Sequence, residues 1–271
     1  MHQIITRIEN IINDDKAQPL FYTESGSRLL GISTESSDYD VRGVHLLSKG
    51  DYFSFLPQSD SIEMVENKPS TSSKAEKDIS WAKVPNQLDL VSYEWDKFMN
   101  MMLKSNPSVW EFWRSPQFYL NHLPNFSYWQ QEATKWIDYK ILYFYYISIA
   151  KNHAHLLKKK PSPKVLFYGL RALLCAKTLL KNQLPPLIIS ELFTLFDSGD
   201  ELLAHAQTAL YDKQTQPDKE LGAKIQTFFT EWIVKETEKL LSLRPVFPEF
   251  EKQLTDCLKQ LNWEVKTAFY N

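Results

Sequence analysis

Residues 24–44 read ESGSRLLGISTESSDYDVRGV, and this stretch holds the residue types and spacing best suited to chemistry. Gly26-Ser27 is followed, ten residues later, by Asp38-x-Asp40. On a strand, residues i and i+2 share a face, so Asp38, Asp40 and Arg42 are expected to project together while Tyr39 and Val41 face the core. Two neighbouring carboxylates repel each other unless a cation lies between them. Hard oxygen ligands of this kind suit Mg²⁺ or Mn²⁺. Gly26 lets the backbone approach a phosphate closely, Ser27 adds a hydroxyl donor, and the amides opening a short helix add more. Arg28 and Arg42 are expected to bind the nucleotide by neutralising the same phosphates. A triphosphate held there, beside carboxylate-bound metal, is the arrangement for two-metal phosphoryl or nucleotidyl transfer. Gly, Ser and Asp are also ordinary turn residues, and the plainer reading of a structural turn stands beside the chemical one.

A basic helix carries the second constellation. In PKVLFYGLRALLCAK, Lys164, Tyr168 and Arg171 fall at i, i+4 and i+7 on one face. They are expected to hold a triphosphate tail and to stack on or hydrogen-bond a base or ribose. The alternative is a surface Lys and Arg with a core Tyr. Residues 139–190 contain nine Lys and Arg and no Asp or Glu, while the whole chain sums to −2. A field of this sign favours an anionic ligand, either a nucleoside triphosphate or a nucleic-acid backbone, against the bland reading of a solvated helix face. Lys158-Lys159-Lys160 reads as a solvated turn. His153 and His155 lie two apart on a helix, a poor spacing for joint metal ligation, and His45 falls on the opposite strand face from Asp38 and Asp40.

The elements that must position these residues are legible in outline. Ile4, Ile5, Ile8, Ile11 and Ile12 recur at helical spacing over 2–13. LFYTE (20–24) and DYDVRGVHLL (38–47) read as strands, and SGSRLLGI between them reads as a turn opening a short helix. Segments 61–66, 79–84 and 88–93 are candidates to complete a small sheet, and 67–77 reads as an exposed loop. Helical spacing resumes over 94–104. Asn106-Pro107 then supplies an N-cap followed by proline at the first helical position. From about residue 127 only helical periodicity appears, broken at Pro161 and Pro163 and at Pro185-Pro186. The expected architecture is α+β: a small mixed sheet with flanking helices, followed by an all-helical half.

Composition narrows the class further. With 271 residues, 43% hydrophobic and 24% charged, the chain can bury a real core. Only seven glycines occur, where average usage gives roughly 19. A large sandwich or barrel with many tight turns is therefore disfavoured, and four of the seven glycines (Gly26, Gly31, Gly43, Gly50) fall within 25 residues. Two distant cysteines, Cys175 and Cys257, match neither a disulfide framework nor a zinc site. The acidic, amphipathic N-terminal segment lacks the pattern of a secretion signal, and the longest apolar run (141–150) is too short to span a bilayer. A cytoplasmic location with no membrane partner is expected.

The Gly-Ser, ten-residue, Asp-x-Asp pattern resembles the nucleotidyltransferases of the DNA polymerase β superfamily. The fuller string ESGSR…G…SDYDVR resembles the YcgL/RlaP branch, as do Asp89, Lys97, the run Lys104-Ser105-Asn106-Pro107, Glu111, Ser115-Pro116, Lys164, Tyr168 and Arg171. Leu30 departs from the branch, which tends to carry an aromatic before Gly31. The resemblance implies residues 1–105 as the nucleotidyltransferase core and 106–271 as a helical domain closing the nucleotide cleft. It also implies a third carboxylate on a neighbouring strand, completing the catalytic metal site. Asp89, an acid amid the β-formers of LDLVSY, is the choice for it, with Glu63, Glu66 and Asp78 as rivals because sheet order is not readable from sequence. The implied activity is Mg²⁺-dependent transfer of a nucleoside monophosphate from an NTP to an acceptor hydroxyl, with pyrophosphate release. The acceptor is an RNA end, a protein side chain as in antitoxin-type AMP transfer, or a small molecule. The non-enzymatic alternative is a nucleotide-binding sensor or interaction protein.

Overall fold

The computed structural model describes residues 2–14, 17–35, 37–65, 87–216 and 219–270. In chain order the elements are α1 (His2–Asp14), β1 (Gln18–Glu24), α2 (Gly26–Leu29), β2 (Tyr39–Leu46), α3 (Lys49–Tyr52), β3 (Ser61–Val65), β4 (Leu88–Glu94), α4 (Trp95–Leu103), α5 (Pro107–Trp113), β5 (Phe118–Asn121) and α6 (Phe126–Thr134). Six helices follow: α7 (Tyr139–Leu157), α8 (Pro163–Leu180), α9 (Ile189–Phe193), α10 (Glu201–Thr215), α11 (Ala223–Ser242) and α12 (Glu251–Tyr270). The architecture is α+β, a five-stranded mixed sheet with helices and a helical C-terminal half. The candidate strand at 79–84, the loop at 67–77, Glu66 and Asp78 lie outside the described residues.

The strand order is β3-β4-β2-β1-β5, with β2 and β4 parallel and every other pair antiparallel. One face is covered by α1, whose Ile4, Ile8 and Ile12 pack with Tyr22, Val41, Leu88 and Leu90. This is the isoleucine stripe acting as a helical repeat should. On the other face Phe21 meets Phe98, Phe112, Trp113 and Phe126 at ring-centroid distances of 5.0–6.2 Å. Each such ring, fully buried, contributes roughly 1.5–3 kcal/mol by its apolar area.

Register between the three central strands is pinned at one level. Tyr22 pairs with Gly43, and Gly43 with Ser92. The Tyr22 ring lies flat across Gly43, where a Cβ would come within 2.1 Å of it. Its hydroxyl meets Ser92 Oγ at 2.7 Å, and that oxygen meets His45 Nδ1 at 2.7 Å. Any one-residue slip would replace Gly43 by a side chain under the ring and would turn the buried set outward.

Two compact units emerge: Met1–Lys104 with Ser108–Lys135 and Lys252–Asn271, and Ser105–Pro107 with Trp136–Glu251. The sheet unit thus takes in α5, β5 and α6 as well as the last helix, whereas the sequence placed everything after residue 105 in a helical domain. β5 joins by pairing with β1, α5 and α6 by packing Phe112, Trp113 and Phe126 against Phe21, and α12 by long-range polar anchoring. Trp95 Nε1 donates to Asn262 at 2.7 Å, Trp129 Nε1 to Glu264 at 3.0 Å, and the Tyr270 hydroxyl to the Leu47 carbonyl at 3.0 Å. In the second unit α8 is the central helix, buried along most of its length. Ser162 caps it by accepting from the Val165 amide at 3.3 Å. Among the described residues no helix is long and apolar enough to cross a membrane.

Candidate active site

Asp38 immediately precedes β2, and Asp40 is the second residue of that strand. Because β2 and β4 run parallel with Asp40 paired to Asp89, these two side chains leave the sheet on the same face. Asp38 and Arg42 share that face by alternation. Val41, on the other face, is fully buried, and Tyr39 packs against the α1 cluster, as the alternation required. Of the rivals for a third carboxylate, Glu63 pairs with Val91 on β3, one strand further from β2 than Asp89.

The turn after β1 presses against this row. Gly26 has φ +58°, and a Cβ added there would stand 1.9 Å from Asp40 Oδ2. Only glycine meets both demands, a left-handed backbone and contact with a carboxylate. The Ser25 amide also donates to the Asp40 carbonyl at 2.8 Å, so the Gly-Ser turn and the second aspartate form one unit. Ser27 and Arg28 continue into α2. Arg28 has a bracing role that the sequence did not reveal. Its Nε donates to the Asp38 carbonyl at 3.1 Å and an Nη to the Ser37 carbonyl at 2.7 Å, with the guanidinium 4.0 Å above the Tyr39 ring centre. Those contacts hold the segment that carries Asp38.

Asp38 Oδ1 is buried and has no hydrogen-bond partner, a costly state for a carboxylate oxygen unless a cation or water meets it. With Asp40 beside it, the pair fits a Mg²⁺ ion, which is commonly bound through one or two carboxylates plus waters and substrate phosphates. Asp89 is differently occupied. An Nη of Arg42 donates to Asp89 Oδ1 at 3.1 Å, to the Asp89 carbonyl at 3.0 Å and to the Val41 carbonyl at 2.9 Å. Among the described residues no three His, Cys, Asp or Glu side chains close into one metal-holding group. The site is thus two aspartates against a glycine turn, with a third carboxylate next door held by an arginine.

Two buried groups escaped the sequence reading. Glu24, at the end of β1, is 1% exposed. It accepts the Ser25 amide at 3.1 Å and the Tyr119 hydroxyl from β5. Burial, with the nearby Asp40 charge adding to it, pushes its carboxyl up to about 7 against the opposing pull of those two hydrogen bonds. Its signals in the sequence were its place at the head of the ESGSR string and at the close of the LFYTE strand. His45, read only as lying on the far face, is buried beside Ser92, and burial pushes its imidazole down to about 4.

Lys164, Tyr168 and Arg171 lie on α8 in the second unit. Lys164 is exposed, Tyr168 is half-buried with its ring 6.2 Å from that of His153, and Arg171 is buried. Lys213, from α10, is a further buried cation of the same unit, and burial, with the Lys164 charge adding to it, holds its ammonium below the usual lysine range.

A family model described as "RNA repair pathway DNA polymerase beta family" (RlaP) matches residues 1–266. "Uncharacterized protein YcgL" of Bacillus subtilis (strain 168) is 24% identical over 262 residues, covering 96% of this chain and 94% of its own length. "Uncharacterized protein MJ0002" of Methanocaldococcus jannaschii is 32% identical over 160 residues, 57% of each chain. A solved nucleotidyltransferase-like protein from Exiguobacterium sibiricum 255-15 aligns with 88% of this chain and 78% of its own at 9% identity. Its TM-score of 0.30 is too loose a superposition to carry an argument.

Proposed function

The chain belongs to the RlaP family of DNA polymerase β-type nucleotidyltransferases, and from that membership we propose a Mg²⁺- or Mn²⁺-dependent transfer of a nucleoside monophosphate from an NTP to an acceptor hydroxyl. One observation carries the reading. The parallel register sets Asp40 beside Asp89 on one sheet face, with Gly26 packed on the Asp40 carboxylate and a buried Asp38 oxygen left without a partner.

In this reading the acceptor oxygen attacks the α-phosphorus in line, the bond to pyrophosphate breaks, and the acceptor hydroxyl loses its proton. Asp38 and Asp40 are the residues that would hold the divalent cation. When bound, such a cation neutralises the triphosphate and stabilises charge on the attacking and leaving oxygens. Asp89 is assigned the proton of the attacking hydroxyl, and Arg42, its ion-pair partner, orients it. Gly26 and Ser27 cradle phosphate, and Arg28 keeps the Asp38 segment in place. Lys164, Tyr168 and Arg171 stay in the reading as candidate nucleotide contacts. An RNA end is the favoured acceptor, because the family is described by an RNA repair pathway and residues 139–190 carry nine positive charges and no negative one.

The test is incubation with each NTP radiolabelled at the α-phosphate, Mg²⁺ or Mn²⁺, and total cellular RNA and protein. Label moved to RNA by the natural chain and lost in Asp38→Ala/Asp40→Ala is the expected result. Label on protein would reassign the acceptor. Metal-dependent NTP binding and turnover unchanged in the double variant would sink the reading.

A further inference from the structure

The register between β1 and β5 breaks at one place. Tyr22 pairs with Leu120 and Thr23 with Phe118, so Tyr119 is an extra residue on β5 with no opposite number on β1. That is a β-bulge, which re-aims the side chains around it. Tyr119 and Leu120, neighbours in sequence, accordingly both pack against the α1 cluster, where regular alternation would send one to each face. The bulge thereby brings the Tyr119 hydroxyl to Glu24 Oε2, to which it donates. Glu24 belongs to that same face, because it pairs with Val41 and follows Tyr22 by two residues. Asp40 and Asp89 leave the sheet on the opposite face. Glu24, 1% exposed, therefore stands behind the candidate active site, sealed from a bound substrate by its burial.

What Glu24 reaches instead is backbone. Its Oε1 accepts the Ser25 amide at 3.1 Å, and the same amide donates to the Asp40 carbonyl at 2.8 Å. The Glu24 amide donates to the Gln117 carbonyl at 3.0 Å, tying the end of β1 to the chain entering β5. One residue past Ser25, the left-handed Gly26 presses its α-carbon against the Asp40 carboxylate. A line of contacts thus runs from the bulge through Tyr119 and Glu24 to the Ser25 amide, and ends on Asp40. Its hydrogen bonds involve a buried carboxyl group, where losing a partner is costly because no water replaces it.

We propose that Glu24 and Tyr119 are positioning residues, which hold the Ser25-Gly26 turn against Asp40 and so fix the carboxylate on which transfer depends. This rests on the nucleotidyl-transfer reading, and the experiment has one arm that does not. Hydrogen exchange of the Ser25 amide is followed in the ligand-free full chain. Single-turnover transfer from a saturating α-labelled NTP with Mg²⁺ is measured on the same preparations. Tyr119→Phe removes only the hydroxyl, and should speed exchange and slow transfer about tenfold each, the size of one hydrogen bond to a charged group. Glu24→Ala should do more, and if it melts too low to assay, Tyr119→Phe carries both arms. Glu24→Gln keeps an oxygen for the Ser25 amide and offers an N–H to the Tyr119 oxygen, so both readouts should return to within about threefold of the natural chain. Exchange of the β4 amides should stay at the natural rate, whereas a general loosening of the sheet would speed it. Unchanged Ser25 exchange in Tyr119→Phe and Glu24→Ala overturns the proposal whether or not label moves. Faster exchange with undiminished transfer overturns it too, as does a Glu24→Gln chain as slow as Glu24→Ala, which would make the charge itself the active feature. A natural chain that transfers no label fails the nucleotidyl-transfer reading, and the exchange arm still decides whether Glu24 and Tyr119 hold the turn.

Discussion

Replacing Gly26 by alanine tests the candidate site most directly, because the structure separates its cost to folding from its cost to chemistry. Residue 26 sits at φ +58°, a conformation that costs an L-residue roughly 1–2 kcal/mol. For a chain of this size that lowers the melting temperature by a few degrees, at about 2–4 °C per kcal/mol. The steric demand is more severe. The new Cβ would stand 1.9 Å from Asp40 Oδ2, 2.6 Å from its Cγ and 3.0 Å from its Cβ, where contacts under 3.0 Å essentially never occur. Relief requires the carboxylate or the turn to move by about 1 Å, and displacements of that size in a reacting constellation cost on the order of 10²-fold in rate. Gly26→Ala should therefore stay folded and lose roughly two orders of magnitude in metal-dependent label transfer. Gly199→Ala, where a Cβ meets nothing within 4 Å, is the matched control and should change neither property. The assay pairs single-turnover transfer from an α-labelled NTP with a melt on the same preparations. If Gly26→Ala melts a few degrees low yet turns over within twofold of the natural chain, the Asp40 carboxylate is not the group on which transfer depends.

Three further outcomes follow from the same geometry. Gly43→Ala drives a Cβ to 2.1 Å from the Tyr22 ring, which is held at its tip by Ser92, so urea melts should show a loss of at least 1–3 kcal/mol; an unchanged midpoint would remove the register pin from the account. Glu24→Gln should change the pH dependence of stability. The native carboxyl near 7 against an ordinary 4.5 means the folded chain binds the extra proton between those values, so natural stability falls as pH rises through that window by up to about 3 kcal/mol and is level above it. Urea melts at pH 5 and pH 8 should show that slope in the natural chain and not in the variant, and equal slopes would rule out Glu24 as its source. Arg42→Met removes the cation paired with Asp89, a half-exposed contact worth about 0.2–1 kcal/mol. With Asp89 no longer oriented toward the attacking hydroxyl, single-turnover transfer should slow by up to about fivefold, and an undiminished rate would contradict a positioning role for Arg42.

What the sequence determined by itself was everything that local periodicity and steric demand can write. The isoleucine stripe of α1, the alternation that put Val41 inward and Asp40 outward, and Asn106-Pro107 opening α5 each depend on neighbours within a few residues. Gly26 was also readable as special, because a Gly-Ser pair before a short helix is a local signal. The tertiary structure decided which distant residues join them. Asp89 stands 47 residues after Arg42, and only the parallel pairing of β2 with β4 sets it beside Asp40; the same pairing lets Arg42 occupy it, which no spacing rule foretells. The four-residue β5 was missed because so short a strand has almost no periodicity of its own. It exists because β1 offers it an edge, and it carries Tyr119 to the buried Glu24. The return of α12 to the sheet unit escaped for a similar reason. Its anchors are single polar contacts to Trp95, Trp129 and Leu47 across more than a hundred residues, and such contacts leave no pattern in the sequence because chain closure, not local conformation, selects them.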